Sequence, residues 1–255
     1  MPDTTVNKIE IRDLHVSYDG KPALEGIDLD VRRHEILSII GPANAGKTTF
    51  LSTINRMLDT VAAAKVQGSV KIDGVEVSEM ANVSALRRRI GMVFPLPVGL
   101  PMSIYDNVAF APRMAGVRDK ASLDLTVERC LGQAALFDEV KDRLGDLGTK
   151  LSGGQQQRLT IARALSLDPE ILCLDEFSIA VDPVTTMRIE EVLKGLREHV
   201  TIILVTNLVL QAKRLADRTA LFLGGKLVEV DTNDVIFSRR TSDMRTFQYV
   251  QGLFG

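Results

Sequence analysis

A glycine-rich run is the first part of the sequence whose residue types and spacing suit chemistry. It comprises Gly41, Pro42, Ala43, Asn44, Ala45, Gly46, Lys47 and Thr48, and Thr49 follows it. Such a turn directs backbone N–H groups at a phosphate chain, and the start of the next helix adds positive potential. Lys47 would neutralise phosphate oxygens, and Thr48 would hold Mg²⁺ through its hydroxyl. The apolar run HEILSII before it and the helical pattern TTFLSTINRML after it favour a P-loop over a simple glycine turn.

A second candidate site is an acidic pair at the end of an apolar run. Four apolar residues, 171–174, lead directly into Asp175 and Glu176. A strand that ends here would bring both carboxylates beside the glycine-rich loop. Asp175 would bind Mg²⁺, and Glu176 would accept a proton from an attacking water. Many apolar strands end in two acids, so the pair is informative only together with the loop.

A third candidate is the string LSGGQQQRL at 151–159, which joins a polar glycine turn to the start of a helix. Ser152 and Gln155 have the spacing of a capping box. With Gly153 and Gly154 between them, the exposed N–H groups of the turn would form an anion site for a terminal phosphate. The alternative is a capped helix with no ligand.

Short β-rich runs must position these candidates, and they alternate with segments of helical periodicity. The runs are KIEIRDLHVSY, HEILSII, ILCLDE and VTIILVT. This alternation predicts an α/β fold with a mainly parallel core sheet. Residues about 86–159 differ, because the Pro-rich turn PLPVGLPM precedes helical runs such as LDLTVERCLGQAAL. We therefore expect one domain over 1–255, with a core from about 1–85 and 160–255 and an inserted helical subdomain between them.

The glycine-rich loop, the LSGGQQQRL string and the LDE sequence occur in the order and settings of three motifs of the ATP-binding cassette (ABC) family, which they resemble. The resemblance covers essentially the whole chain. It implies a P-loop NTPase core with an N-terminal antiparallel β-subdomain, and ATP and Mg²⁺ as cofactors. It also implies a head-to-tail dimer in which residues 152–155 contact ATP held by the partner. By the same resemblance, Tyr18 would stack on adenine and Asp182, in SIAVDP, would lie in the loop that crosses the dimer.

Several further strings resemble the phosphate-importer branch of that family. They are TINRMLD at 53–59, RRIGMVF at 88–94, PMSIYDNVAF at 101–110, FDEVKDRL at 137–144 and the terminal YVQGLFG. The resemblance implies an ATPase subunit that couples hydrolysis to import of inorganic phosphate. Its implied partners are integral-membrane permease subunits and a second ATPase subunit, most simply an identical one. Its implied location is the cytoplasmic face of the inner membrane.

Two positions depart from the family pattern. Pro95 stands where the family has a glutamine that reaches Mg²⁺ and the attacking water, and proline has neither a side-chain amide nor a backbone N–H. Asn207 stands where the family has a histidine at the γ-phosphate and is therefore a candidate catalytic residue, although asparagine can hydrogen-bond but cannot become cationic. A hydrolysis-deficient regulatory or partner cassette is therefore the alternative to a transport motor.

Composition narrows the partners and the compartment. The 31 basic and 33 acidic residues nearly cancel, which gives no basic footprint for nucleic acid. The two cysteines, Cys130 and Cys173, lack metal-ligand spacing and suit a reducing compartment. The start MPDTTVNKIEIRD lacks the order of a signal peptide, so we expect the chain to stay in the cytosol.

Overall fold

The computed structural model describes residues 6–179 and 181–253. Ala180 of the SIAVDP string, the first five residues and the last two of YVQGLFG lie outside the described part. The strands are β1 Asn7–Tyr18, β2 Lys21–Arg32, β3 Ile36–Ile40, β4 Ala64–Ile72, β5 Val75–Glu76, β6 Ile90–Val93, β7 Ile171–Asp175, β8 Thr201–Val205, β9 Arg218–Leu223 and β10 Lys226–Thr232. The helices are α1 Lys47–Ile54, α2 Val83–Arg88, α3 Ile104–Met114, α4 Lys120–Gln133, α5 Phe137–Val140, α6 Gly153–Leu165, α7 Pro183–Leu196, α8 Val209–Leu215, α9 Asn233–Ile236 and α10 Met244–Val250. Short 3₁₀ turns cover Met57–Thr60, Val77–Glu79, Lys141–Arg143 and Gly148–Lys150.

The core sheet has six strands in the described residues, in the order β10-β9-β3-β8-β7-β6. β9, β3, β8, β7 and β6 run parallel to their neighbours, and only β10 is antiparallel. Every residue of β3, β7 and β8 is buried, as expected for central strands covered on both faces. Because these strands are parallel, the loops that follow them meet at one edge of the sheet. The P-loop, Glu176 and Asn207 lie at that edge in the loops, and Asp175 is the last residue of β7.

A separate antiparallel sheet of order β2-β1-β4-β5 forms the predicted N-terminal β-subdomain. Its buried face includes Ile9, Ile11, Val70 and Ile72, which join one apolar cluster with Phe50 of α1 and strands of the core sheet. The two sheets therefore hold α1 between them. A single apolar core fixes the position of the helix that follows the P-loop.

A second apolar cluster unites the segment between β6 and β7 with the opposite face of the core sheet. It includes Val108 of α3, Leu131 of α4 and Leu159 of α6, together with Leu172 and Leu204 of the sheet. These helices form the helical insertion expected from the sequence. β6 falls inside the predicted 86–159 segment but pairs in parallel with β7. The exact bounds of the subdomain stay a prediction.

Helix α1 is shorter than the pattern TTFLSTINRML predicts, since it ends at Ile54. Asn55 is its C-cap, and Arg56 adopts a left-handed conformation with φ 58°. The Arg56 guanidinium donates to the carbonyls of Val77 and Met80 at 3.2 and 2.8 Å. These contacts with a distant segment account for an ending that local periodicity does not indicate.

Candidate functional site

The glycine-rich loop joins β3 to α1 and needs its glycines for steric reasons. A Cβ at Gly41 would lie 2.2 Å from the carbonyl oxygen of Phe222. A Cβ at Gly46, where φ is 94°, would lie 2.5 Å from Leu24 Cδ2 and 2.7 Å from the carbonyl oxygen of Ala23. Both glycines let the loop pack closely against neighbouring backbone. The P-loop therefore has the tight path that directs its N–H groups into the space in front of α1.

Lys47 is the first residue of α1, and its ammonium group folds back over the loop. Nζ donates to the carbonyl oxygens of Gly41 and Pro42, both at 2.8 Å, and lies 4.0 Å from Glu176 Oε1. Burial lowers the pKa of Lys47, while the Glu176 and Asp175 carboxylates act to raise it. A phosphate at this loop would meet a cation already held in place.

Thr48 and Asp175 provide the oxygen ligands for a hard cation. Thr48 Oγ1 donates to Asp175 Oδ2 at 2.7 Å, and Asp175 is 2% exposed. Burial raises the pKa of Asp175, whereas the Thr48 hydrogen bond and the Lys47 charge lower it. Among the described residues no group of three or more His, Cys, Asp or Glu side chains could hold a metal. One carboxylate beside one hydroxyl fits Mg²⁺, which typically takes only one or two protein carboxylates and completes its shell with phosphate and water.

Glu176 follows β7 with its backbone in the left-handed region, at φ 45°. Its backbone N–H donates to the Val205 carbonyl at 2.8 Å, so the turn is fixed to the next strand. A non-glycine residue in this region costs about 1–3 kcal/mol, and such strain is found where a side chain must be aimed. The result is that Glu176 leaves the strand and lines the same cavity as the P-loop.

The cavity in front of the P-loop has a volume of about 450 Å³. The sequence-predicted residues that line it lie in or directly after the P-loop, or at the end of β7: Ala43, Asn44, Ala45, Gly46, Lys47, Thr48, Thr49, Asp175 and Glu176. Pro95 lines it as well, at the position where the family glutamine is missing. Sequence reasoning did not find Pro22 and Ala23, which line it from the start of β2. No local motif marks them, because they are brought there by packing of the antiparallel sheet on the P-loop.

Tyr18 and Asn207 do not line this cavity, and neither do Gly41 and Pro42 of the P-loop. Tyr18 ends β1, and its hydroxyl donates to Thr49 Oγ1 at 3.3 Å, so it lies beside α1. Asn207 is exposed just beyond β8. The adenine-stacking role of Tyr18 and the catalytic role of Asn207 stay predictions.

The signature residues 152–155 begin α6 with a complete capping box. Gln155 N–H donates to Ser152 Oγ at 3.4 Å, and Ser152 N–H donates to Gln155 Oε1 at 3.2 Å. Gln155 Nε2 also donates to Glu139 at 2.9 Å. None of these residues lines the cavity beside the P-loop. Their contact with ATP held by a partner stays a prediction.

Asp182 is exposed and caps α7, since its carboxylate accepts from Thr185 N–H at 2.9 Å. The hydrogen bonds from Thr185 lower its pKa. Pro183 occupies the first position of the helix, where its missing N–H costs nothing. The predicted dimer loop thus ends in a rigid helix start.

The parallel core sheet, the glycine loop with Lys47 and the Thr48–Asp175 pair define a P-loop nucleoside triphosphatase. The chain belongs to the ABC transporter family, whose sequence profile matches residues 24–178, more than half of the chain. It is an ATP-binding cassette domain. The resemblance inferred from the motifs is confirmed at the level of this family, as is the predicted fold class.

Solved structures of the cassette MJ0796 are similar to this chain. A dimeric post-hydrolysis state bound to ADP and Pi shares 26% sequence identity with a TM-score of 0.78. A dimeric structure of the same bacterial ABC transporter cassette shares 28% identity with a TM-score of 0.78. Each comparison covers 88% of this chain and 98% of the other. In the described residues no helix is long and apolar enough to cross a membrane.

Proposed function

We propose that this cassette hydrolyses MgATP as the peripheral motor subunit of a transporter that imports inorganic phosphate. The observation that carries the proposal is the meeting of Lys47, the Thr48–Asp175 pair and Glu176 around one cavity. Cation, metal ligands and general base are the parts that phosphoryl transfer to water requires. A nucleotide-binding protein without hydrolysis would not need Glu176 aimed into the cavity by a strained backbone.

The division of labour among the residues follows from their geometry. The P-loop N–H groups and Lys47 bind the phosphate chain, and Thr48 and Asp175 hold Mg²⁺. When bound, Mg²⁺ neutralises charge that develops on the phosphate oxygens. Glu176 accepts the proton of the water that attacks. Lys47 Nζ, 4.0 Å from Glu176 Oε1, keeps that carboxylate oriented toward the P-loop.

We propose a second, identical cassette as one partner. Ser152 and Gly153 are exposed and lie outside the cavity of their own chain, so they are free to face the nucleotide of another. The related MJ0796 cassette is dimeric in both structures, which supports this arrangement. Asp182 would then lie at the contact between the subunits.

We propose integral-membrane permease subunits as the other partners, with docking beside the Pro95 loop at the cytoplasmic face of the membrane. Three apolar side chains there are exposed: Phe94 by 37%, Leu96 by 74% and Val98 by 55%. Exposed apolar side chains next to one another indicate a surface that another protein covers. Because Pro95 also lines the cavity, a partner that covers Phe94 and Leu96 would contact the two sequence neighbours of a residue at the nucleotide site.

Phosphate as the transported solute is supported only by resemblance in sequence. None of the residues 53–59, 101–110 or 137–144, which resemble the phosphate-importer branch, lines the nucleotide cavity. General cassette chemistry therefore does not explain them. The solute itself would pass through other subunits, so its identity must be tested by transport.

A regulatory cassette that binds ATP with little turnover is the second candidate. Pro95 and Asn207 favour it, because neither side chain supplies the contact that the family makes at these positions. The P-loop, Lys47, Thr48 and Asp175 are intact, so ATP binding is common to both candidates.

Uptake of radiolabelled phosphate by cells that lack this gene tests the proposal. The native gene should restore uptake, whereas Glu176→Gln and Lys47→Ala should not, and uptake of sulfate should be the same in all strains. Restoration by Glu176→Gln equal to the native gene would favour the regulatory cassette. Phosphate uptake that is independent of the gene would refute phosphate import.

A further inference from the structure

A buried set of polar side chains joins the segments that follow β7 and β8. It consists of Ser178, Glu190, Thr206 and Gln211, each less than a tenth exposed, and Arg214 borders it. Buried polar groups are costly unless they are hydrogen-bonded, and a fully satisfied network fixes one arrangement of its members. One member of this set, Gln211, is hydrogen-bonded to the other three buried members.

The amide of Gln211 on α8 is the centre of the set. Gln211 Oε1 accepts from Thr206 Oγ1 at 2.8 Å. Gln211 Nε2 donates to Ser178 Oγ at 3.2 Å and to Glu190 Oε1 at 3.3 Å. One acceptor and both donor hydrogens are in use, so the orientation of the amide is determined. The Thr206 hydroxyl in turn accepts from the Leu208 N–H at 3.0 Å, which orders the turn that contains Asn207.

The partner Glu190 is itself held in a fixed orientation. Arg214 donates to both oxygens of its carboxylate, from Nε at 2.9 Å and from a terminal nitrogen at 2.7 Å. This two-point contact fixes the orientation of the buried carboxylate. Gln211 therefore contacts a rigid acceptor.

The three partners of Gln211 belong to the segments that flank the site. Ser178 lies two residues after Glu176, Thr206 directly precedes Asn207, and Glu190 is on α7, which Asp182 caps. They are 33, 5 and 21 positions from Gln211 in sequence. One amide thus joins the segments of the general base, the Asn207 turn and the dimer loop.

We infer that Gln211 is a positioning residue that fixes Glu176, the Asn207 turn and the Asp182 loop relative to one another, so that displacement of one segment is transmitted to the others. Packed protein interiors are stiff, and a buried hydrogen-bonded connection transmits displacement where loose contact would not. The consequence for hydrolysis rests on the proposed function. The mechanical connection does not.

A double-mutant cycle on two hydroxyls tests the connection through catalysis. Ser178 and Thr206 are joined through Gln211, so Ser178→Ala and Thr206→Val should each slow single-turnover hydrolysis about fivefold, the effect of one lost hydrogen bond. The double variant should be hardly slower than Thr206→Val alone, and Ser178→Ala should have no effect in a Gln211→Met background. Thr206→Ser keeps the hydroxyl and should retain the native rate, and ATP affinity should be unchanged throughout. Effects of the two changes that multiply in the double variant, or a Ser178→Ala effect that persists in Gln211→Met, would overturn the inference.

Hydrogen–deuterium exchange tests the connection without hydrolysis. Thr206→Val should speed exchange of the amides of Ile179 and Val181 about tenfold, although Thr206 is not their hydrogen-bond partner, and should leave the P-loop unchanged. Thr160→Val is the matched control, since it makes the same substitution at a buried position on α6 and should leave both segments unchanged. Faster exchange confined to the Thr206 turn would overturn the inference. If the native chain proves unable to hydrolyse ATP while this response is present, the proposed function fails and the inference stands.

Discussion

Restoring the two departures from the family pattern, by Pro95→Gln together with Asn207→His, should accelerate hydrolysis. Pro95 lines the cavity, so a glutamine there would extend its amide toward the metal and the water. Asn207 is exposed, so a histidine can occupy the position without displacing packed atoms. A histidine there would add a second polar contact to the transferred phosphate.

The size of the gain follows from what each contact contributes. A positioned transition-state donor is worth about 10²–10³ in rate when the site is organised around it. Here the Pro97 that follows keeps the loop stiff, and Asn207 starts outside the cavity, so we expect only about tenfold from each change. The double variant should therefore be about a hundredfold faster, which corresponds to about 2.7 kcal/mol of activation free energy.

Phosphate release in a single turnover, with enzyme in excess and MgATP bound, is the appropriate assay because it excludes product release. The same double substitution in a Glu176→Gln background is the control and should give no gain. An unchanged rate in the double variant, with ATP affinity intact, would refute the reasoning that Pro95 and Asn207 limit the chemical step.

Further predictions concern stability and binding. Asp175→Asn should keep or raise the melting temperature of the nucleotide-free protein at pH 7, because burial raises the pKa of Asp175 and disfavours its charge. The same change should abolish the Mg²⁺-dependent part of the ATP-induced rise in melting temperature. A large loss of melting temperature in the nucleotide-free protein would contradict this. Glu170→Gln should lower the free energy of unfolding in urea at pH 7 by about 1 kcal/mol, a value reduced for partial solvent exposure. The hydrogen bond from Arg89 lowers the pKa of Glu170 from 4.5 to about 2, so its contribution is present above pH 4.5 and should disappear as pH falls toward 2; a difference that persists at pH 2 would argue against this origin. Gly46→Ala should weaken ATP binding at least about tenfold by fluorescence titration, because the added Cβ meets Leu24 and Ala23 at a φ of 94°, and native affinity would contradict the steric account.

Much of the fold was predictable because the pattern of the core strands is local and strong. Short β-rich runs indicated β3, β7 and β8, and the structure places all three inside the core sheet. The loop after β3 and the acids after β7 converge because parallel strands end at one edge. The P-loop and acidic pair could therefore be placed together from sequence alone.

What sequence reasoning missed depends on contacts between distant segments. The end of α1 is set by the hydrogen bonds of Arg56 with residues 77 and 80. Pro22 and Ala23 reach the cavity through the packing of one sheet on another. The role of Gln211 arises from partners as far as 33 positions away. No periodicity or motif encodes such contacts, which are fixed only when the whole core packs.

The predicted contact between the signature residues 152–155 and ATP involves a second chain. Ser152 begins α6 outside the cavity that Lys47 lines. The family resemblance already implied that residues 152–155 contact ATP held by a partner, and the fold is consistent with this because the signature lies outside the cavity of its own chain. In the proposed dimer, the second subunit would supply the signature.

The central claim is therefore that MgATP binds at the P-loop of one chain and closes that site against residues 152–155 of another. The most direct measurement is the molar mass of Glu176→Gln by light scattering during gel filtration, with and without MgATP. The account predicts one chain without nucleotide and two chains with MgATP, and a single chain under both conditions when Lys47→Ala is added. A Glu176→Gln protein that binds MgATP at saturation but keeps the mass of one chain would contradict it.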